Sequence, residues 1–110
     1  MAGVDSTELD SVSQLFATPL TTTWGSNVKS QGFRYVVRMG NVVLFAFSCN
    51  VYSTDGTVLV LPVALAGGWG IATHQSDVNM QGYVEAEGAN LVAHVKTANW
   101  MVVSGWGHIA

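Results

Sequence analysis

Charge is what this sequence has least of. Only 10% of its 110 residues are Asp, Glu, Lys or Arg, against about 25% in an average soluble protein. The four cations, Lys29, Arg34, Arg38 and Lys96, are scattered and outnumbered by seven acids, which leaves a net charge of −3. Nucleic-acid binding needs clustered cations that displace phosphate counterions, and docking on an anionic lipid surface needs the same. Neither partner is expected. Cysteine is almost absent: Cys49 stands alone, so no intrachain disulfide can form. Its apolar strand context predicts a buried, inert thiol. Long apolar runs are missing too. Stretches such as Val58 to Ala66 are interrupted by Pro62, well short of the roughly 20 residues of a spanning helix. No basic segment followed by an apolar run opens the chain, so no secretion signal is expected.

Catalytic and metal-binding patterns are equally scarce. His74, His94 and His108 are far apart and no second cysteine accompanies them, so no metal or cofactor is expected. Glu85 and Glu87 fall on one face of a strand. Their exposed, alternating context reads as a solvated sheet edge guarded by charge rather than a carboxylate pair flanking a glycosidic bond. Ser104-Gly105-Trp106-Gly107 lacks the strand–turn–helix setting of a nucleophile elbow. Gly67-Gly68-Trp69-Gly70 has no lysine and no helix after it, as a phosphate loop would. The expectation is a protein without enzymatic activity.

Apolar residues, by contrast, make up 49% of the chain. A domain of this size hides only about two-thirds of its unfolded surface. Some of the apolar surplus is therefore expected to be covered by other copies, in a symmetric homo-oligomer. Residues 1–19 differ from the rest. Leu9, Val12 and Phe16 form one helical stripe after a capping Asp5 or Ser6, and Pro19 ends the segment. It reads as a short N-terminal arm or helix.

From residue 20 to 110 the signal is β. Phe33, Tyr35, Val37 and Met39 alternate with Arg34 and Arg38, the period of a half-buried strand. Gly40-Asn41 marks a tight turn into Val42 to Val51, where Phe45, Phe47, Cys49 and Val51 share a face. Ser53-Thr54-Asp55-Gly56 reads as the next turn, then Thr57 to Leu61 as a strand stopped by Pro62. Residues 63–70 read as a flexible Gly-rich loop carrying Trp69. Ile71 to His74, Gly82 to Glu87, Leu91 to Lys96 and Trp100 to Ile109 complete the series. The fold class is all-β: an antiparallel sandwich or barrel of seven to eight short strands.

The four tryptophans are the informative residues. An indole face stacks on the apolar face of a sugar ring while polar groups fix its orientation. Trp69, with His74 and Asp77 close in sequence, is a candidate saccharide site; the alternative is that Trp69 plugs one end of the fold or a subunit interface. Trp100 and Trp106 share parity on the last strand and are expected in the core. Trp24 is expected to pack the first strand or a subunit contact. His94, on the more polar strand face, is expected to be solvated or hydrogen-bonded.

Phe33-Arg34-Tyr35-Val36-Val37-Arg38-Met39-Gly40-Asn41-Val42-Val43 resembles the hairpin of phage tail receptor-binding head domains and related baseplate or tail-fibre modules. Leu61-Pro62 and the terminal Trp100…Ser104-Gly105-Trp106 add to the resemblance, which covers roughly residues 20–110. It implies a virion protein of a phage tail or baseplate, usually a homotrimer, that binds a host cell-wall saccharide. Trp69, His74 and Asp77 are the residues that would match such a site. Residues 1–19 would contact other virion proteins. The alternative is a structural virion component, a decoration or assembly protein without glycan binding.

Overall fold

Two glycines open tight reversals of the chain. Gly40 and Gly88 have φ of 62° and 63°, and each is the first residue of a two-residue connection, where a type II′ hairpin turn needs positive φ. The computed structural model describes residues 17–74 and 80–110. Among them the chain forms nine strands and no helix: β1 (Thr18–Pro19), β2 (Thr23–Trp24), β3 (Val28–Met39), β4 (Val42–Val51), β5 (Asp55–Val60), β6 (Leu65–His74), β7 (Met80–Glu87), β8 (Asn90–Val95) and β9 (Met101–Ile109). The fold is all-β, as expected. Seven strands carry the periodic pattern; the two additional ones are only two residues long, too short to leave a signal in sequence. The sheet starts at Thr18–Pro19, two residues before the expected arm boundary. The helical stripe of Leu9, Val12 and Phe16 lies outside the described residues.

All nine strands join one antiparallel sheet in the order β1-β3-β4-β9-β6-β7-β8-β5-β2, curled into a half-barrel. Its two ends, β1 and β2, are neighbours in sequence. Residues 18–28 therefore strap the open side. Leu20 N donates to Val36 O on β3, while Gly25 N and Asn27 N donate to Val58 O and Thr57 O on β5. Trp24 fills the gap, with its ring edge against Phe47 (centroids 6.3 Å) and the Arg34 guanidinium 5.2 Å above it. Arg34 also donates to Thr22 O at 3.0 Å.

The concave face holds the core. Val43, Phe45, Phe47, Cys49 and Val51 of β4 meet Met101 and Val103 of β9, Ala72 of β6, Val84 of β7 and Leu91 and Ala93 of β8. Val58 and Leu59 are adjacent yet both fully buried, because a bulge between Thr57 and Leu59 shifts the β5–β8 register and breaks the alternation. Burial raises the Cys49 thiol to about 12, which agrees with an inert cysteine.

Two local expectations are corrected. Asp55-Gly56 is not the turn but the start of β5. The reversal at residues 52–54 is held by a distant side chain: Asn27 Nδ2 donates to Ser53 O, and Asn27 Oδ1 accepts from both the N–H and the hydroxyl of Ser53, all at 3.0 Å. The alternation of β3 is present, but Phe33, Tyr35 and Met39 of its apolar face are exposed, while Val37, paired with Pro19 of β1, is buried. Cross-strand partners share a face, and Arg34, Val36 and Arg38 oppose the core residues Phe47, Phe45 and Val43. Tyr35, at 65% exposure, lies on the convex side.

Candidate functional site

The sequence Gly-Trp-Gly occurs twice, at 68–70 and 105–107. The residues around Trp69 are not a loop: they form the middle of β6. The two triplets are direct cross-strand mates, with Trp69 opposite Trp106, Gly70 opposite Gly105 and Gly68 opposite Gly107. A side chain on the glycine face has no room. A Cβ at Gly105 would lie 2.3 Å from Trp69 O and 2.9 Å from the Phe45 ring, and one at Gly70 would lie 2.8 Å from the same ring. The concave side is thus filled by Phe45 over bare backbone, and alternation sends both indoles outward. Trp106 is 58% and Trp69 49% exposed, so the core placement expected for Trp106 is corrected. Trp100 precedes β9 and is half-buried.

The indoles continue into a row. Along the convex face the register runs Leu44, Trp106, Trp69, Glu85, Val92 from β4 through β9, β6 and β7 to β8. The adjacent row runs Ser104, Ile71, Tyr83, His94, Asp55 from β9 to β5. Trp69 stacks on Tyr83 (6.3 Å, 21°), and Tyr83 contacts His94 (5.1 Å, 36°). At one end of this stripe lies a shallow groove of about 360 Å³ over Gly67 and Gly68, walled by Trp69, Trp106 and His108. At the other end a second depression of about 390 Å³ is lined by Tyr83, His94, Asp55, Gln81 and Lys96.

Polar chemistry is concentrated at that second end. His94 Nδ1 lies 2.6 Å from Asp55 Oδ1, and Nε2 lies 2.9 Å from Glu85 Oε1. Hydrogen bonding to Asp55, reinforced by Glu85, raises the His94 pKa above its ordinary 6.5 despite partial desolvation. The same bond to His94 lowers that of Asp55 below 3.8. His94 is therefore hydrogen-bonded, as its strand face suggested. Glu85 and Glu87 do not guard an edge, since β7 lies between β6 and β8. The imidazole fills the gap between Asp55 and Glu85. Among the described residues no group of three or more His, Cys, Asp or Glu is arranged to hold a metal ion.

Of the residues singled out in sequence, Trp69 lies on this stripe. His74 ends β6 opposite Met101, a core residue. It is an odd number of residues from Trp69, and β6 keeps unbroken register with β9 between the two, so it sits on the other face of the sheet. Asp77 lies outside the described residues. Trp106, Tyr83, Glu85 and Asp55 were not singled out as partners of Trp69. The repeated Gly-Trp-Gly was the available signal for the first of them. No family model matches the chain, and comparison with curated proteins and with solved structures gives no match.

Proposed function

We propose that this protein is a non-catalytic saccharide-binding module whose convex aromatic stripe receives the ligand. The observation that carries the reading is the outward pair Trp69 and Trp106, in register on adjacent strands and extended by Tyr83. Exposed apolar side chains are ordinary when scattered, but a contiguous row marks a contact surface. Flat rings on a rigid sheet suit the CH face of a pyranose, and the Glu85 carboxylate beside them supplies an acceptor for its hydroxyls. Side chains fixed by strand pairing lose little freedom when a ligand arrives.

In the wider reading, the module is an oligomeric receptor-binding part of a phage tail or baseplate, and its ligand is a host cell-surface saccharide. That step rests on the hairpin from Phe33 to Val43 and on the apolar composition. The second reading, a structural virion component without glycan binding, is favoured by one feature. The exposed apolar surface runs beyond Leu44, where the row ends on β4, to Tyr35 and Met39 on β3, where it fits a subunit contact better than a sugar.

A glycan array followed by titration of host-wall polysaccharide separates the two. The saccharide reading expects binding by the assembled protein that falls about tenfold or more in Trp69→Ala and Trp106→Ala, an effect of roughly 1.4 kcal/mol. Absence of binding to any glycan would favour the structural role. Light scattering at micromolar concentration tests assembly, with a multimer as the expected result.

A further inference from the structure

We propose that His94 is a proton-dependent clamp: as an imidazolium it ties β5, β8 and β7 together on the convex face and holds Tyr83 in the aromatic stripe. The geometry requires two donors. Asp55 Oδ1 and Glu85 Oε1 face the two ring nitrogens at 2.6 and 2.9 Å, and ionised carboxylates only accept. A neutral imidazole has one N–H, so its other nitrogen would turn a lone pair toward a carboxylate oxygen. Only the protonated ring satisfies both contacts. Strand register makes the arrangement: Tyr83 and Asp55 are the direct partners of His94 on its two sides, and Glu85 is one step along the same face of β7.

Among the described residues, the groups facing the ring are few. β5 contributes Asp55; β7 contributes Tyr83 and Glu85; Lys96, just past the end of β8, shares the depression with His94. Lys96 opposes protonation, and the two carboxylates in direct contact favour it. The balance lies with the carboxylates, consistent with the upward shift of the His94 pKa. When the proton leaves, Asp55, Glu85 and His94 together change from a charge of −1 to −2. One hydrogen bond is lost and a lone pair confronts a carboxylate oxygen. The ring then cannot keep both contacts, and Tyr83 loses the neighbour that fixes it 5.1 Å away. Trp69 is stacked on the other side of Tyr83, so the clamp sets the order of the whole stripe.

The clamp is a property of the ligand-free protein. Its consequence for sugar affinity rests on the saccharide reading above. The primary test is therefore made without ligand, by nitrogen-resolved NMR titration of His94 in the full chain. We expect both ring nitrogens to be protonated at pH 6 and the midpoint to lie above 6.5. Asp55→Asn and Glu85→Gln should each lower the midpoint, and amide exchange in β7 and β8 should speed up as the transition is crossed. A wild-type midpoint at or below 6.5, or midpoints unmoved by both substitutions, would overturn the clamp. If a glycan ligand is in hand, affinity should fall roughly five-fold from pH 6 to above the His94 midpoint, as expected for one hydrogen bond, and should be flat with pH in His94→Gln. Flat wild-type affinity alongside a raised His94 midpoint removes the control over the stripe. Failure to bind any sugar sinks the saccharide reading while leaving the titration result standing.

Discussion

The two faces of β6 and β9 are built from the same residues taken alternately, and they could hardly differ more. The concave face has Gly70 and Gly105 under the Phe45 ring; the convex face has Trp69 and Trp106. Hydrophobicity alone would put the indoles inside. Curvature decides otherwise. A tightly curled sheet has less area on its inner face than on its outer one, so bulky side chains fit only where the strands splay apart. At this level of the sheet the apolar filling therefore comes from Phe45 of β4, which reaches across, while Gly70 of β6 and Gly105 of β9 present backbone; further along, Ala72, Met101 and Val103 return side chains to the core. The comparison teaches that on this fold an exposed tryptophan is a product of the glycines beside it.

The contrast is broken most severely from the inside. Phe45→Ala removes the ring that covers Gly70 and Gly105 and leaves a cavity the curled backbone cannot close. A loss of about 3–5 kcal/mol is expected, enough to unfold a marginal domain, and urea denaturation would show it as a large drop in midpoint. A small drop would mean that the concave face collapses freely. Gly105→Ala probes the same face from the backbone. Its methyl would meet Trp69 O at 2.3 Å and Gly70 Cα at 2.4 Å, backbone atoms of a paired strand that cannot rotate away. The expected cost is about 1–3 kcal/mol, read as a lower melting temperature. Gly40→Ala is the control: nothing lies within 4 Å of its added carbon, so only the positive φ is penalised, at about 1 kcal/mol.

The convex face should respond in the opposite sense. Trp106→Ala is expected to shift stability by less than about 1 kcal/mol, as a surface substitution does, while removing saccharide affinity. The two measurements on one variant sharpen the comparison. A large stability loss with unchanged binding would assign the indole to packing and the stripe to structure.

Much of this could be read in sequence, and the rest was hidden for definite reasons. The β3–β4 hairpin was legible because Gly40-Asn41 and the period of two are local signals. The parity of Phe45, Phe47, Cys49 and Val51 was legible for the same reason. The direction in which the apolar face of β3 points was not. Arg34 turns inward because Trp24, ten residues earlier, offers its ring and Thr22 offers a carbonyl. Residues 67–70 read as a loop because glycine is depleted in strands; only the closeness of two strands and a phenylalanine explains their place in one. The Asp55–His94–Glu85 cluster joins residues 39 and 9 positions apart. No spacing rule reaches it, since strand order β7-β8-β5 creates it.

The smallest expected effect is the pH dependence of stability, and it tests the convex face without any ligand. His94 has a raised pKa in the folded state, so its contribution is complete below the unfolded value of 6.5 and disappears as pH rises through the folded value. Asp55 has a lowered pKa, so its contribution is complete above 3.8 and disappears as pH falls through its folded value. The two together stabilise the fold most between about 3.8 and 6.5, with a decline on either side. Both side chains are in contact with solvent, so screening keeps the effect small, and high salt should shrink it further. Denaturation midpoints measured across this range should trace a shallow plateau that His94→Ala flattens on the alkaline side. A wild-type midpoint that rises steadily from pH 6.5 upward would show the imidazole to be better accommodated neutral, with the carboxylates of Asp55 and Glu85 bound elsewhere, and the link between β5 and β7 would then lie in backbone pairing alone.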